Sequence, residues 1–227
     1  MEKARKLEYL ESICPPGVKD RSYDALVTWL FGSDERTLAV CEKPASSYVR
    51  RMIMKGTRLM PEQDKQAWRE DVKKLIIDYI NDSFAFNLHS WKVFDAWHRL
   101  TCEDICERSN KHGVSKWVDW MENGFPYGLA QIWLNLTIKN MLLMERWDEK
   151  IAPAEKHLHV PADSVIVEAA SKDFGISVNG SKPWKQWDGN EYFQFQEELR
   201  KVVDCPIDWA FGVEIKKNKD SKGGGEI

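Results

Sequence analysis

What this chain of 227 residues lacks narrows its reading first. No apolar run approaches the ~20 residues of a membrane span. The opening stretch Met1-Glu-Lys-Ala-Arg-Lys-Leu-Glu puts charges where a secretory leader needs an apolar segment. A cytoplasmic chain is therefore expected, with no membrane partner. The five cysteines, Cys14, Cys41, Cys102, Cys106 and Cys205, are odd in number and irregularly spaced, which argues against a disulfide framework and for a reducing compartment. Cationic excess is also missing. Lys plus Arg number 33 and Asp plus Glu 36, so the net charge is 33 − 36 = −3, which excludes coating of nucleic acid by bulk electrostatics but leaves room for a local basic face. There is no Walker A loop, no Rossmann glycine pattern, no G-x-S-x-G and no internal repeat. Strand signal is sparse throughout.

What is present is helical. Hydrophobic residues make up 43% and charged residues 30%, interspersed, which is the balance of a globular chain. The periodicity predicts helices over Lys3–Ile13, Ser22–Gly32, Gln63–Asn81, Leu88–Arg108 (Val93, Trp97 and Leu100 inward), Gly113–Glu122 and Asn190–Val203. Gly175–Gly189 carries turn chemistry at Asn179-Gly180 and Lys182-Pro183, and a small hairpin is expected there. The expected fold class is all-α: one compact domain over 1–215, with room for two lobes around a cleft, and a flexible polar tail over 216–227.

One helix differs in kind. Tyr127–Arg146 follows the turn Asn123-Gly124-Phe-Pro-Tyr-Gly128 and is apolar on nearly every side, the mark of a central helix packed all round. Its polar residues are Gln131, Asn135, Thr137, Lys139 and Asn140. Lys139 either snorkels to an edge or is buried, and a buried unpaired amine is pushed toward its neutral, nucleophilic form. Asp163, after Pro161-Ala162, sits where an N-cap belongs. It reads either as a plain cap or as a carboxylate kept ionised by the helix start for chemistry. His98, Cys102 and Cys106 share a helical stripe, but three ligands from one helix cannot wrap a metal, so core packing is expected there and no metal. His157 and His159 read as loop histidines or as walls of a cleft near Asp163. Lys43, Arg50, Arg51, Lys55 and Arg58 form a run of five cations with no acid between, and Lys182 and Lys185 flank Trp184 and Trp187. Each cluster reads as a solvated face or as a contact for phosphates. Most of the eleven tryptophans belong to the core, with a few free to act as stacking platforms.

The turn, the helix Gly128-Leu-Ala-Gln131-Ile-Trp-Leu-Asn-Leu-Thr137-Ile138-Lys139 and the stretch His159-Val-Pro161-Ala-Asp163 together resemble the helix-hairpin-helix DNA glycosylase superfamily. The nearest branch is the archaeal 8-oxoguanine glycosylase family with its bacterial relatives. The resemblance covers about 40 residues. It implies a catalytic aspartate at Asp163, a base pocket drawing on Gln131, Ile132, Trp133, His159 and Trp209, and DNA contacts at Gly124, Tyr127, Gly128, Arg50 and Arg51. The nucleophilic lysine of the bifunctional members falls on Ile132. Either the nucleophile is lost or Lys139 substitutes from two turns away, roughly 10 Å along the axis.

The implied chemistry is base excision from DNA by a monofunctional route that leaves an abasic site, without a cofactor and by a monomer. The substrate is an oxidised purine or, as for some phage-defence relatives, a modified cytosine. The alternatives are a non-catalytic, defence-associated nucleic-acid binder with a degenerate site, and a helical interaction protein unrelated to DNA.

Overall fold

The computed structural model describes residues 2–15, 17–31, 60–82, 90–118, 120–144, 151–178 and 182–223. Among them the chain is all-α, with no strand. The helices are α1 (Lys3–Ile13), α2 (Tyr23–Phe31), α3 (Glu62–Asp82), α4 (Trp91–Lys111), α5 (Tyr127–Leu142), α6 (Ser164–Phe174), α7 (Gly189–Val202) and α8 (Pro206–Gly223), with short 3-10 turns at Val114–Trp117, Ala152–His157 and Trp184–Gln186. Among the described residues, no helix is long and apolar enough to cross a membrane.

Helix α5 is central, as its all-round apolar pattern predicts. Every residue from Tyr127 to Asn135 is buried, as are Thr137, Ile138, Lys139, Met141 and Leu142. It packs against α4 and α7 and against the Trp184–Gln186 turn, while α3 covers α4. On the other side α1 pairs with α2 and α8, and α8 packs on α6. One contiguous apolar cluster joins these groups, from Leu10 through Trp133 to Phe211.

Helix ends follow local chemistry. Ser90 caps α4 by accepting from Val93 N–H. Asp188 and Glu191 form a reciprocal capping box on α7. Gly175 closes α6 in the left-handed region, φ 69°, a conformation that costs glycine little. Gly128 has a different reason to be glycine: a Cβ there would lie 2.2 Å from the Trp184 carbonyl oxygen, so α5 meets that turn backbone to backbone. Gly128 N–H donates to Trp187 O at 2.9 Å across the same seam.

Several expectations need correction. The polar stretch from Lys216 is not a loose tail as far as Gly223, because α8 runs through it. Its side chains reach α1: Lys219 pairs with Glu8 at 2.8 Å, Asn218 donates to Ser12 Oγ at 3.1 Å, and Lys222 donates to the Glu11 and Cys14 carbonyls. Those two carbonyls belong to the end of α1, where backbone acceptors lack helical partners, and a lysine from a neighbour satisfies them. The inward stripe of α4 is Phe94, Trp97, His98, Thr101, Cys102 and Ile105, so Val93 and Leu100 face outward at 43% and 58% exposure. Among the described residues the region after Gly175 holds the 3-10 turn Trp184–Gln186, and Asn179 and Gly180 of the expected hairpin lie outside the described residues. Within Gly113–Glu122 the described helical element is the 3-10 turn Val114–Trp117. Helix α5 ends at Leu142. The basic run 43–58, with Arg50 and Arg51, lies outside the described residues.

Candidate functional site

Gln131 and Asn135 stand one turn apart on α5, fully inside the protein. A buried amide must find hydrogen-bond partners or destabilise the fold by a few kcal/mol, about 1–3 per unmet group. Both find them in the extended segment that leads to Asp163. Gln131 clamps the residue before the aspartate: its Oε1 accepts from Ala162 N–H at 3.2 Å, and its Nε2 donates to Ala162 O at 3.2 Å and to Gly128 O at 2.9 Å. Gln196 of α7 makes the same two-point clamp on Val160, at 3.2 Å to its N–H and 2.9 Å to its carbonyl. Asn135 Nδ2 also reaches Val160 O at 3.2 Å, its two hydrogens being shared among this carbonyl, Gln131 Oε1 and Tyr192 Oη. An irregular strand of backbone is thereby held on both sides by side-chain amides, as a sheet neighbour would hold it.

The aspartate that this segment delivers caps α6. Asp163 Oδ1 accepts from the N–H groups of Val165 at 2.9 Å and Ile166 at 3.0 Å. The carboxylate therefore lies at the positive end of a helix, half-buried, one residue from the peptide fixed by Gln131.

The amide clamps continue into a buried network with one consistent assignment of protons. Tyr127 O–H donates to His98 Nδ1 at 3.2 Å, and His98 Nε2–H donates to Asn135 Oδ1 at 2.9 Å. Asn135 Nδ2 donates to Tyr192 Oη at 2.8 Å, whose O–H donates to His159 Nδ1 at 2.8 Å. His159 Nε2–H donates to Asp95 Oδ1 at 2.7 Å, and Arg200 closes the chain with two bonds to Asp95 at 2.6 and 2.9 Å. Both histidines carry their proton on Nε2 and are neutral in this arrangement. Burial pushes the His98 pKa well below the usual imidazole value, and the neighbouring His159 adds to it. For His159, burial lowers the pKa to about 4 against the opposing pull of Asp95. Burial alone would raise the Asp95 carboxyl, but hydrogen bonds from Arg200 and His159 outweigh it and hold it well below the carboxylate range.

Lys139 is two turns further along α5, in different surroundings. Its amine is 2% exposed and pairs with Glu214 of α8 at 2.5 Å, with Tyr9 Oη at 3.2 Å. The Tyr9 and Phe211 rings cover it at 4.4 and 4.7 Å from their centroids. Desolvation lowers its pKa, but Glu214 and Tyr9 reverse that and leave it raised. Burial alone therefore does not yield the neutral amine expected of a buried lysine. The amine is a held cation, and it faces α1 and α8 rather than Asp163.

The other residues singled out by sequence divide clearly. Ile132 and Trp133 are wholly enclosed in the core, and Trp133 packs edge-on to Trp68 at 5.5 Å. Both hydrogen-bonding ends of Gln131 and both ring nitrogens of His159 are engaged inside the protein, so none of these four offers a surface to a ligand in this conformation. Trp209 packs at a tilt against Phe174, at the opposite end of α6 from Asp163, which is roughly 16 Å of helix. Gly128 serves the close approach to Trp184. Gly124 and Tyr127 do border open space: a cleft of about 580 Å³ at the start of α5, lined also by Trp120, Glu122, Lys182 and Trp187. Asp163 is not part of its lining. Sequence reasoning missed Asp95, Tyr192, Gln196 and Arg200, and it assigned His98 only to a thiol stripe. A faint signal existed in the polar residues of an otherwise apolar α5, since buried amides require partners from somewhere else in the chain.

Compared with protein-family models, with curated proteins and with solved structures, this chain has no match.

Proposed function

We propose that this protein is a DNA N-glycosylase that removes a damaged or modified base by an aspartate-assisted, monofunctional route. The observation that carries the reading is the clamp between Gln131 and Ala162, which joins the two halves of the resemblance, the α5 motif and the Pro161-Ala162-Asp163 stretch, into one rigid unit. Asp163 supplies the chemistry. As the bond between C1′ and the base breaks, the bonding electrons leave with the base and positive charge develops on the sugar. A carboxylate fixed beside that charge stabilises it and accepts a proton from the water that adds to C1′. The base must be flipped out of the duplex to reach such a site. Neither candidate position of the motif offers a free amine for a Schiff base, since position 132 is a buried isoleucine and Lys139 is an ion-paired cation on another face. The product is an abasic site in an unbroken strand. The cleft at Gly124 and Tyr127, with Lys182 and Trp187 on its rim, supports a contact of that edge with DNA. The protein acts in the cytoplasm, as a monomer and without a cofactor.

The test uses DNAs bearing oxidised purines or phage-type modified cytosines, with released bases identified by mass spectrometry and abasic sites by alkaline cleavage. The Asp163→Asn variant is expected to fold normally, because asparagine caps a helix as well as aspartate, and to lose roughly 100-fold or more in base release. Base release at the parental rate in that variant overturns the assignment. A second reading, a nucleic-acid binder with a degenerate glycosylase site, is favoured by the isoleucine at 132. It predicts DNA binding with no base released from any of these substrates.

A further inference from the structure

We infer that Gln131 is a positioning residue, whose amide sets where the Asp163 carboxylate points. The inference deepens the glycosylase reading and rests on it for its catalytic half alone. Asp163 belongs to a segment with no regular secondary structure, and such a segment has no ladder of its own to fix it. The fixation comes from side chains at alternate residues: Gln196 and Asn135 hold Val160, and Gln131 holds Ala162. Of these three amides, Gln131 is the last before the aspartate. It holds both the N–H and the carbonyl of the Ala162 peptide units, which fixes the orientation of the backbone as well as its distance.

The amide is itself held in one orientation. Gly128 O accepts from Nε2, and Asn135 Nδ2 donates to Oε1 at 3.0 Å, so a flipped amide would set like groups against each other at both ends. Asn135 in turn is oriented by His98 Nε2–H and by Tyr192 Oη. The direction of Asp163 is thus fixed from within the core of α5, through groups that never touch solvent. All four hydrogen bonds of Gln131 are taken up inside the protein, two of them by Ala162 and the others by Gly128 and Asn135, so the amide acts on a ligand only through the segment it holds.

The experiment pairs an activity readout with a structural one. In Gln131→Met, which keeps the length of the side chain and removes both clamp bonds, hydrogen exchange of the Val165 and Ile166 amides is expected to accelerate at least tenfold. Those are the amides bonded to Asp163 Oδ1. Exchange in the middle of α5 and α7 should be unchanged. Single-turnover base release should fall tenfold or more while affinity for the same DNA stays within twofold. Should Gln131→Met not fold, Gln131→Glu carries the same test, because it keeps the acceptor for Ala162 N–H and loses the donor to Ala162 O. Unchanged exchange at Val165 and Ile166, or acceleration spread evenly over all helices, overturns the positioning role. If the parent chain releases no base from any DNA, the glycosylase reading fails by itself, and the exchange result still decides whether Gln131 orients Asp163.

Discussion

Helix α5 buries two polar clusters, one around Asn135 and one around Lys139, and the two meet the cost of burial by different means. Around Asn135 every central group is neutral, and each proton lies between a donor and an acceptor, from Tyr127 through His98 and Tyr192 to His159. The charges in that cluster, Asp95 and Arg200, stand at its rim with 14% and 15% side-chain exposure. Around Lys139 the centre is a full cation, 2% exposed, against a carboxylate that keeps 22% of its surface. Neutral hydrogen-bonding groups are satisfied by direction alone, whereas a buried ion needs an opposite charge as well. The first arrangement can hold a piece of backbone in place, as it does before Asp163. The second pins three helices, α1, α5 and α8, at one point.

Removing the cation should have the largest effect. Lys139→Met leaves the Glu214 carboxylate without its cation, with only the Tyr9 O–H still donating to it at 3.2 Å, and breaking such a pair is expected to cost about 3–5 kcal/mol in urea unfolding. Replacing both partners, Lys139→Met with Glu214→Leu, should restore most of that loss, because two apolar groups leave no stranded charge. A single variant within about 1 kcal/mol of the parent would mean that the pair is neutral in stability and that the two clusters do not differ in kind.

Acid separates the clusters by sign. His98 and His159 are neutral when folded and have depressed pKa values, so the unfolded chain binds their protons first. Their contribution is complete above the unfolded value and is lost as pH falls below it. For His159 the window runs from 6.5 down to about 4, which amounts to about 3–4 kcal/mol at ~1.4 kcal/mol per pH unit. Asp95, held low, loses its contribution further down, below the ordinary carboxylate range. The Lys139 cluster behaves oppositely. Lys139 is raised, and burial pushes Tyr9 up to about 12, so their stability is present below the unfolded pKa values and is lost as pH rises above ~10. Urea unfolding at a series of pH values from 8 to 4.5 should show the acid slope, and Lys139→Met should leave that slope intact. A flat profile over that range would remove the neutral-network description.

How far this was readable from the chain depends on where each partner lies. Helix α5 was legible because its apolar residues point in all directions, and Asp163 was legible as a cap because Pro161-Ala162 precedes it and an apolar run follows. The rest was not, for a physical reason. Periodicity reports which face is apolar, so on α4 it favoured Val93 and Leu100, and although the stripe of His98 and Cys102 was legible as core packing, Thr101 and the partners of His98 were not. Polar groups buried by pairing with α5 look like surface residues until the partner helices are in place. Asp95 and Arg200 are 105 residues apart in sequence, and nothing local to either marks the other. Lys139 shows the converse: its burial was one of two readings open from sequence, but its charge state depended on Glu214, 75 residues away.

Tyr192→Phe should give the smallest of these effects, and it sharpens the comparison most. It removes one oxygen and leaves the ring, which stacks on His98 at 5.2 Å with an interplanar angle of 10°. His159 Nδ1 then loses its donor, an orphaned acceptor in a dry interior, while Asn135 Nδ2 keeps Gln131 Oε1 and Val160 O as acceptors. One stranded neutral group is expected to cost about 1–2 kcal/mol, well under the loss for Lys139→Met. Cost alone is not the whole of the test. Without the Tyr192 hydroxyl, His159 has no donor opposing protonation at Nδ1, so the acid transition should begin at higher pH in this variant. Urea unfolding at pH 8 and at pH 5.5 reads both quantities. A Tyr192→Phe loss as large as that of Lys139→Met would place the neutral cluster on the same footing as the ionic one, whereas a small loss with an earlier acid transition shows that its bonds serve direction and proton placement more than strength.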